Sequence, residues 1–315
     1  MSLIELKNKF LKKKITKASY IKKIYIKYHD LLFQYSDLIT KTDIKKIEIS
    51  NSNIKITSKK FGINMVVPKH DHRSAPLECI NFNNCEENEL DAIMKLLPNR
   101  GNFIDIGANI GWHSLIIAKN FKQIKVYAFE PIKKTYEFLK QNIELNIIKN
   151  ITTYNFGFYN KNKKISFYTY KEGSGNSSIK NLSNRENVIR QVAHVKIFDD
   201  FAKKNRLKVD FIKCDVEGAE LFVFLGAKKV LSKYKPIVFC EMLRKWSKKF
   251  KYHPNEIILI FNKLGYECFK ISNYPDKKKF RLNRVVKITN STKETNFFFM
   301  HKEKHSKLVK KHIKI

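Results

Sequence analysis

The sequence lacks several features that would assign it to an exported or membrane-spanning class. No uninterrupted apolar run reaches the ~18 residues of a membrane span, and the basic start of the chain has neither the apolar segment nor the cleavage site of a signal peptide. The five cysteines, at positions 79, 85, 214, 240 and 268, form no CxxC pair. These absences predict a cytoplasmic protein with reduced cysteines.

Arginine and acidic residues are also scarce. Of 63 basic residues only eight are arginine, and the 29 acidic residues leave a formal charge of +34. A lysine-rich surface keeps a protein soluble, but a charge of this size also favours anionic partners: a phosphorylated or acidic glycan, a nucleotide, a nucleic acid or a lipid surface. The few arginines and the lack of a recognisable RNA-binding module disfavour nucleic acid. The hydrophobic fraction of 43% is enough for a buried core.

Composition and periodicity divide the chain into four regions. They are a basic amphipathic helical region (1–45), a small β extension (46–85), a main domain (86–301) and a basic tail (302–315), which is predicted to be frayed or to lie on the surface.

The first region contains nine lysines and one glutamate within residues 1–28, and its apolar residues from Leu11 to Tyr28 recur at spacings of three and four. Two interpretations stay open. The helix docks on the body with its lysines in solvent, which we favour because packed amphipathic helices are commoner, or it lies peripherally on an anionic membrane at the inner face.

From residue 103 onward, strand-like and helix-like segments alternate. Strands are predicted at 103–107, 125–130, 151–159, 209–218 and 236–242, with helices between them and further strands near the end. This order predicts a mainly parallel sheet covered by helices on both faces, with an antiparallel edge. The polar stretch 171–191 is predicted to be a loop that serves as a lid or as a solvated connector.

The stretch "FIDIGANIGWHSLIIAK" (103–119) contains an acid and two glycines where a buried strand turns into a helix. Gly107 and Gly111 allow a sharp turn and a close ligand. The spacing is GxxxG rather than the GxGxxG of dinucleotide sites, and Asp105 would repel a pyrophosphate but suit an ammonium. Glu130 follows at the end of the next strand, where an acid can accept both hydroxyls of a ribose. A ribose, an amino-acid head group and a sulfonium together describe S-adenosylmethionine.

Four stretches, "FIDIGANIGWHSLIIAK", "VYAFEP", "FIKCDVEGAELFVFLGA" and "PIVFCEM", resemble the FkbM-type methyltransferases, a branch of the class I S-adenosylmethionine-dependent enzymes. The resemblance implies an α/β fold of the class I methyltransferase type. That fold is a Rossmann-like seven-stranded sheet, mostly parallel with an antiparallel C-terminal edge, here with an N-terminal helical and β extension. It also implies that S-adenosylmethionine is bound by Asp105, Gly107, Asn109, Gly111 and Glu130.

Carboxylates at the ends of two later strands are the candidate catalytic residues. Methyl transfer to oxygen needs an aligned hydroxyl and a group that removes its proton. Asp215 is the first choice for this base, Glu217 the second and Glu241 the third. A divalent metal held by Asp215 and Glu241 is an alternative that we do not favour. Glu220 suits a helix N-terminus, and the alternative bases are His113, His194 and His253.

Two segments are candidates for binding the acceptor. "SGNSSI" is similar to a serine-containing stretch of the family, which implies Asn176 and Ser178 as active-site members. After Glu241, "LRKWSKKFK" leaves the sheet on the ligand side, so Arg244, Lys245 and Lys248 can hold an anionic acceptor and Trp246 can stack on a sugar. A solvated helix face is the competing interpretation.

Three functions follow from these expectations. The leading one is an O-methyltransferase acting on a sugar hydroxyl of a surface glycan or glycolipid precursor, because members of the family resemble enzymes of sugars and secondary metabolites. The second is a nucleic-acid methyltransferase acting on a ribose 2′-hydroxyl, suggested by the charge. The third is a non-catalytic, membrane-associated glycan-assembly protein.

Overall fold

The structure is a computed structural model that describes residues 1–83, 86–170, 173–182, 188–272 and 281–312, with the backbone alone for 173–176. The described residues form thirteen α-helices and fifteen strands. The helices are α1 (Leu3–Leu11), α2 (Lys17–Ile24), α3 (Asp30–Thr40), α4 (Ala75–Phe82), α5 (Glu87–Leu96), α6 (Trp112–Asn120), α7 (Lys133–Leu145), α8 (Phe198–Lys204), α9 (Glu220–Leu225), α10 (Lys228–Tyr234), α11 (Arg244–Lys249), α12 (Asn255–Lys263) and α13 (Ser306–His312). A π-helical turn, Tyr25–His29, joins α2 to α3.

The strands are β1 (Ile44–Ile49), β2 (Ile54–Ser58), β3 (Asn64–Val66), β4 (Gly101–Ile106), β5 (Ile124–Phe129), β6 (Ile151–Tyr154), β7 (Gly157–Phe158), β8 (Lys163–Tyr170), β9 (Gly173–Ser178), β10 (Val188–Lys196), β11 (Phe211–Cys214), β12 (Ile237–Glu241), β13 (Tyr266–Ser272), β14 (Arg281–Val285) and β15 (Asn296–His301).

The main sheet has eight strands in the order β14-β13-β15-β12-β11-β4-β5-β6. β6, β5, β4, β11 and β12 run parallel, and β15 pairs antiparallel with both β12 and β13. The mixed α/β fold with an antiparallel C-terminal edge is therefore confirmed, but the expected count of seven strands is wrong, because β14 adds an edge strand antiparallel to β13. The strands are buried on both faces, as their continuous apolar runs predict, and the two main apolar clusters lie on opposite sides of the sheet.

A second sheet, of four strands in the order β7-β10-β8-β9, is inserted between β6 and β11. The sequence predicted a single polar loop over residues 171–191, and this prediction is wrong where β9 and the start of β10 flank β8 as antiparallel strands. Composition alone assigned these polar residues to a loop, but hydrogen bonds between the strands satisfy their backbone groups.

The first region does not dock on the body along the expected stripe; it contacts the body at the end of α3, where Ile39 packs against the cluster of the β extension. α1 and α2 are separate helices, so the apolar stripe from Leu11 to Tyr28 does not lie on one helix. Leu6 is the one buried residue of the described helices α1–α3, and α2 and α3 bury none. The β extension does pack on the main domain, where β1, β2 and β3 form an antiparallel sheet and Ile56, Ile63 and Met65 share a cluster with α6.

The tail, predicted to be frayed or to lie on the surface, contains α13, a surface helix that buries none of its residues completely. Its Leu308 and Val309 are partly buried against the core. Cys214, Cys240 and Cys268 are free and buried, but Cys79 is disulfide-bonded, so the expectation that all cysteines are reduced is wrong. Among the described helices, none combines the length and the apolar character needed to cross a bilayer.

Candidate active site

A cavity of about 470 Å³ opens at the carboxyl ends of β4, β5, β11 and β12. Parallel strands bring their carboxyl ends to one edge, so residues far apart in sequence meet there. Residues of all four strand ends and of the β extension share its wall, among them Gly107, Asn109, Glu130, Asp215, Glu217, Glu241, Lys245, Trp246, Arg73 and His113.

The glycine bend after β4 is held very close to the end of β11. Gly107 has a φ of +79°, and a Cβ at this position would lie 1.9 Å from the carbonyl oxygen of Asp215. The amides of Gly107 and Ala108 both donate to the carbonyl of Phe129 at 3.0 Å. A glycine is therefore required here by the neighbouring backbone, and the bend places the chain from Gly107 to Asn109 along the cavity wall.

Glu130 lies at the end of β5 with a fixed carboxylate. Its Oε2 accepts from the amide of Asn109 at 3.1 Å, and its Oε1 accepts from the amide of Ile132 at 2.9 Å. Burial raises the pKa of Glu130 to about 7, although the hydrogen bonds from Ile132 and Asn109 oppose the shift. Because a carboxylate has about four acceptor positions and two are used, two remain for hydroxyl groups of a ligand.

Asp105 lies beneath the bend rather than in the cavity wall. It has no exposed surface, and its Oδ2 accepts from Ser114 Oγ at 2.6 Å. Its Oδ1 lies 3.5 Å from Nζ of Lys213. Asp105 is therefore not among the described residues that line the cavity, and its charge lies against Lys213.

Lys213 connects the two halves of the site. Its Nζ lies 3.4 Å from Oδ2 of Asp215 and donates to the carbonyl of Gly107 at 3.1 Å. Burial alone would lower the pKa of Lys213, but the carboxylates of Asp215 and Asp105 outweigh this, and the pKa is raised above its ordinary value. The ammonium therefore stays charged and joins the glycine bend to the end of β11.

Three carboxylates meet at the far side of the cavity. Asp215, Glu217 and Glu241 each place an oxygen within 4.8 Å of the others. Burial, and after it repulsion from Asp215, raises the pKa of Glu217 and of Glu241 well above the usual range of a carboxyl. Asp215 Oδ1 and Glu217 Oε2 are buried and have no hydrogen-bond partner within the described residues. A proton acceptor or a ligand for a cation is what this arrangement provides.

Hydrogen bonds to buried side chains fix the loop that contains Glu217. Glu217 has a φ of +53°, a strained conformation for a side chain with a Cβ. Ser178 Oγ donates to its carbonyl at 2.7 Å, and Glu220 Oε1 accepts from the amides of Val216 and Gly218 at 3.2 and 3.0 Å. Ser178 is fully buried, so it positions this loop instead of lining the cavity. Glu220 likewise serves the start of α9, as its sequence position indicates.

The model of the methyltransferase FkbM domain family matches residues 105–268, which is more than half of the chain and includes the glycine bend, Glu130 and the carboxylates. The chain belongs to this family. Among curated proteins, Methyltransferase 1 of Beauveria bassiana is 26% identical over 147 residues, covering 41% of this chain and 59% of that protein. Methyltransferase sdnD of Sordaria araneosa is 26% identical over 159 residues, covering 41% of this chain and 61% of that protein. This chain thus spans about three fifths of the length of both relatives.

Among solved structures, the crystal structure of methyltransferase FkbM from Methylobacillus flagellatus KT is similar. The sequence identity is 14%, the match covers 85% of this chain and 58% of that chain, and the TM-score is 0.42.

Of the remaining predicted residues of this FkbM domain, some lie away from the described cavity wall and others line it. Gly111 packs against α7, where a Cβ would lie 2.7 Å from Leu139 Cδ1. It is not among the described residues that line the cavity. The guanidinium of Arg244 donates to the carbonyls of Thr289, Asn290 and Thr292, so it stabilises a loop and is also absent from the described cavity wall. The side chain of Asn176 lies outside the described residues.

Lys245 and Trp246 of α11 do line the cavity, as predicted, and the Lys245 ammonium lies 4.3 Å from the centre of the Trp246 ring. Of the three predicted histidines, His113 is the one within the described wall, and its pKa is lowered to about 3, first by burial and then by the charge of Lys213. A histidine with this pKa is neutral at pH 7 but is a weak base.

Sequence reasoning missed four charged residues of the cavity wall, which are Arg73, Glu78, Glu86 and Lys213. Lys213 follows two apolar residues inside a short buried strand, and a charged residue in such a run is the pattern that could have indicated it. Arg73 comes from the β extension, where no motif was recognised, and it lines the cavity while its Nε lies 3.4 Å from Oε1 of Glu78. The extension therefore completes the wall of the FkbM site.

Proposed function

We propose that the protein transfers a methyl group from S-adenosylmethionine to a hydroxyl of an acidic or phosphorylated sugar that belongs to a glycan or glycolipid precursor. The observation that carries this proposal is the meeting, in one cavity, of the Gly107 bend, the fixed carboxylate of Glu130 and the three carboxylates at the ends of β11 and β12. When bound, the donor supplies a methyl group activated on a sulfonium.

The donor half of the site fits such a ligand. Glu130 retains acceptor positions for two ribose hydroxyls, and its orientation is fixed by two backbone amides. The buried, unpartnered oxygen of Asp215 favours a positive group nearby. The Gly107–Asn109 bend would hold the amino-acid end of the donor, because it lines the cavity between these two carboxylates.

The carboxylates favour oxygen as the acceptor atom. A hydroxyl that attacks a methyl group must lose its proton, and a carboxylate within hydrogen-bond reach can take it. The raised pKa of Glu217 and of Glu241 makes each a stronger base than an ordinary carboxylate. Asp215 and Glu241 lie on adjacent strands, in a position to orient the hydroxyl and receive its proton.

An anionic sugar fits the remaining wall. Trp246 offers an aromatic face on which a sugar can stack, and Lys245 places an ammonium beside that ring. Arg73 brings a second positive charge to the same cavity from the β extension. These two cations favour a carboxylate or phosphate on the acceptor.

Binding and turnover test the proposal in two steps. Calorimetric titration is expected to show donor binding to the wild-type protein and binding weakened at least 10-fold in Glu130→Gln, with Glu137→Gln on the exposed face of α7 as the control. Neutral, carboxylated and phosphorylated sugars are then compared by release of S-adenosylhomocysteine. Lys245→Met is expected to raise KM for the anionic sugars alone, whereas Lys248→Met, outside the described cavity wall, is not.

The outcomes separate the alternatives. Absence of donor binding would refute methyl transfer and support a non-catalytic role. Donor binding with turnover of RNA but of no sugar would assign a nucleic-acid acceptor instead.

A divalent cation is the second way in which Asp215, Glu217 and Glu241 can act, since carboxylate oxygens are the ligands that Mg²⁺ and Mn²⁺ prefer. A general base acting alone predicts a kcat unchanged by a chelator. A loss of 10-fold or more with EDTA, restored by Mg²⁺, would assign the carboxylates to a metal.

A further inference from the structure

The basic arm, residues 1–40, is folded mainly on itself and contacts the body at its end, where Ile39 packs against the cluster of the β extension. α1 lies against α2, where the rings of Phe10 and Tyr20 stack with centroids 4.7 Å apart. Lys27 Nζ donates to the carbonyl of Met1 at 3.0 Å. With Leu6 as its one buried residue, the arm exposes nearly all of its remaining surface.

The exposed surface of the arm is unusually apolar. Of the twenty large hydrophobic side chains that are exposed among the described residues, twelve lie within these 40 residues. α3 alone exposes Leu31, Leu32, Phe33, Tyr35 and Leu38, with Phe33 60% and Leu32 54% exposed. So many exposed apolar side chains within one short segment indicate a binding partner, whereas single exposed apolar residues do not.

The charge of the arm identifies the partner. It has nine lysines against Glu5, Asp30 and Asp37, and all nine precede α3, which contains none. At the headgroup boundary of a bilayer, apolar acyl chains lie beneath anionic headgroups. An apolar helix next to lysine-rich helices matches this arrangement. A second copy of this chain would bring two positively charged arms together, which like charge opposes.

We propose that the basic arm binds the surface of anionic lipid membranes, with the apolar side chains of α3 inserted at the headgroup boundary and the lysines of α1 and α2 among the headgroups. No membrane-spanning helix is involved in such an attachment. The proposal does not depend on the reaction that the protein catalyses.

The arm is joined to the body by more than the chain itself. Lys59 of the β extension donates from Nζ to the carbonyls of Ile39, Thr40 and Thr42 at 3.3, 3.2 and 2.8 Å, which satisfies the end of α3. The same extension contributes Arg73 to the cavity. Attachment through the arm therefore sets where the cavity lies relative to the membrane.

Vesicle sedimentation with the full-length protein tests the charge contribution. Vesicles of phosphatidylcholine with 30% phosphatidylglycerol are expected to bind the protein in 0.1 M salt, and vesicles of phosphatidylcholine alone or a salt concentration of 0.5 M are expected to weaken binding strongly. Because each lysine near an anionic surface contributes a factor of about five, the triple variant Lys12→Glu, Lys22→Glu, Lys23→Glu is expected to bind about 100-fold more weakly. The matched control reverses three exposed lysines of the body: Lys122→Glu, Lys140→Glu, Lys149→Glu.

Insertion of α3 has its own readout, which does not depend on loss of binding. A tryptophan introduced as Phe33→Trp is expected to shift its emission to the blue and to be quenched by brominated lipids. Leu259→Trp, which replaces a residue 57% exposed on α12, is expected to show neither effect. Equal quenching at both positions, equal binding by the two triple variants, or dimerisation of the wild-type protein without vesicle binding would each overturn the proposal.

Discussion

Replacing Lys213 with methionine tests how the site is held together. The change keeps an unbranched side chain that is one heavy atom shorter and removes its charge. Lys213 is 4% exposed and Asp105, its partner at 3.5 Å, is 1% exposed at the side chain, so water cannot replace the lost ammonium at Asp105. Asp215 is 31% exposed at its side chain and can be hydrated instead. The main cost should therefore fall on Asp105.

The magnitude follows from the geometry. At 3.5 Å and an effective dielectric constant of about 20, the pair has a Coulomb energy of about 5 kcal/mol before desolvation. Removing one partner of a buried pair leaves the other charge uncompensated, at a net cost of about 3–5 kcal/mol. The free energy of unfolding of Lys213→Met is thus expected to fall by about 4 kcal/mol, whereas Lys122→Met on the surface should change it by less than about 0.5 kcal/mol.

Urea denaturation at pH 7 measures both variants. The double variant Asp105→Asn, Lys213→Met provides the decisive comparison, because neutralising Asp105 removes the buried charge that the single variant leaves behind. We expect the double variant to be more stable than Lys213→Met alone, even if the single variant folds poorly. A loss below about 1 kcal/mol in Lys213→Met, or a double variant less stable than the single one, would refute the reasoning.

Three further predictions concern the same cavity. Gly107→Ala should lower the free energy of unfolding by more than about 2 kcal/mol in urea denaturation, because its Cβ would lie 1.9 Å from a carbonyl oxygen; Gly157→Ala, with ordinary contacts of 3.4 Å or more, is the control. Because the pKa of Glu130 is raised to about 7 in the folded protein, its charge destabilises the fold as the pH rises from the pKa of Glu130 in the unfolded chain through 7. Between pH 4 and pH 8, the free energy of unfolding of Glu130→Gln should therefore rise by up to about 3 kcal/mol relative to that of the wild type. If the difference between the two proteins is the same at both pH values, the raised pKa of Glu130 is contradicted. For Glu241→Gln we expect a kcat at least about 10-fold lower with KM for the donor unchanged, in steady-state kinetics; a change confined to KM would assign Glu241 to binding.

The wall that contains Gly107 and Glu130 was predictable because its determinants are local. Gly107 and Asp105 belong to one short stretch, and Glu130 ends the next strand, so the glycine motif and the strand pattern placed them at one edge of the sheet. What the sequence could not show was which way each side chain points. Asp105 turns inward to Ser114 and Lys213, a contact that depends on β4 and β11 being neighbours in the sheet.

The wall that contains Lys245 and Arg73 was predicted less well because its residues come from elements distant in the chain. Lys245 and Arg244 are adjacent in sequence, yet the first lines the cavity and the second caps a loop, a difference set by where α11 begins. Arg73 is separated from Asp215 by most of the domain, and only the packing of the β extension brings it to the cavity. Tertiary packing decided these positions, and it produces no periodic pattern in the sequence.

The charge of the cavity opposes the charge of the chain. The protein as a whole has a formal charge of +34, whereas Glu130, Asp215, Glu217 and Glu241 all meet in one cavity above Lys213. A general attraction for anions would therefore act on the surface and at the entrance, and the interior would select for a cation. Burial raises the pKa values of Glu130, Glu217 and Glu241, and repulsion from Asp215 adds to the shift of Glu217 and of Glu241. A cationic ligand should consequently bind more tightly than a neutral one of the same shape, and its binding should release protons from these carboxyl groups.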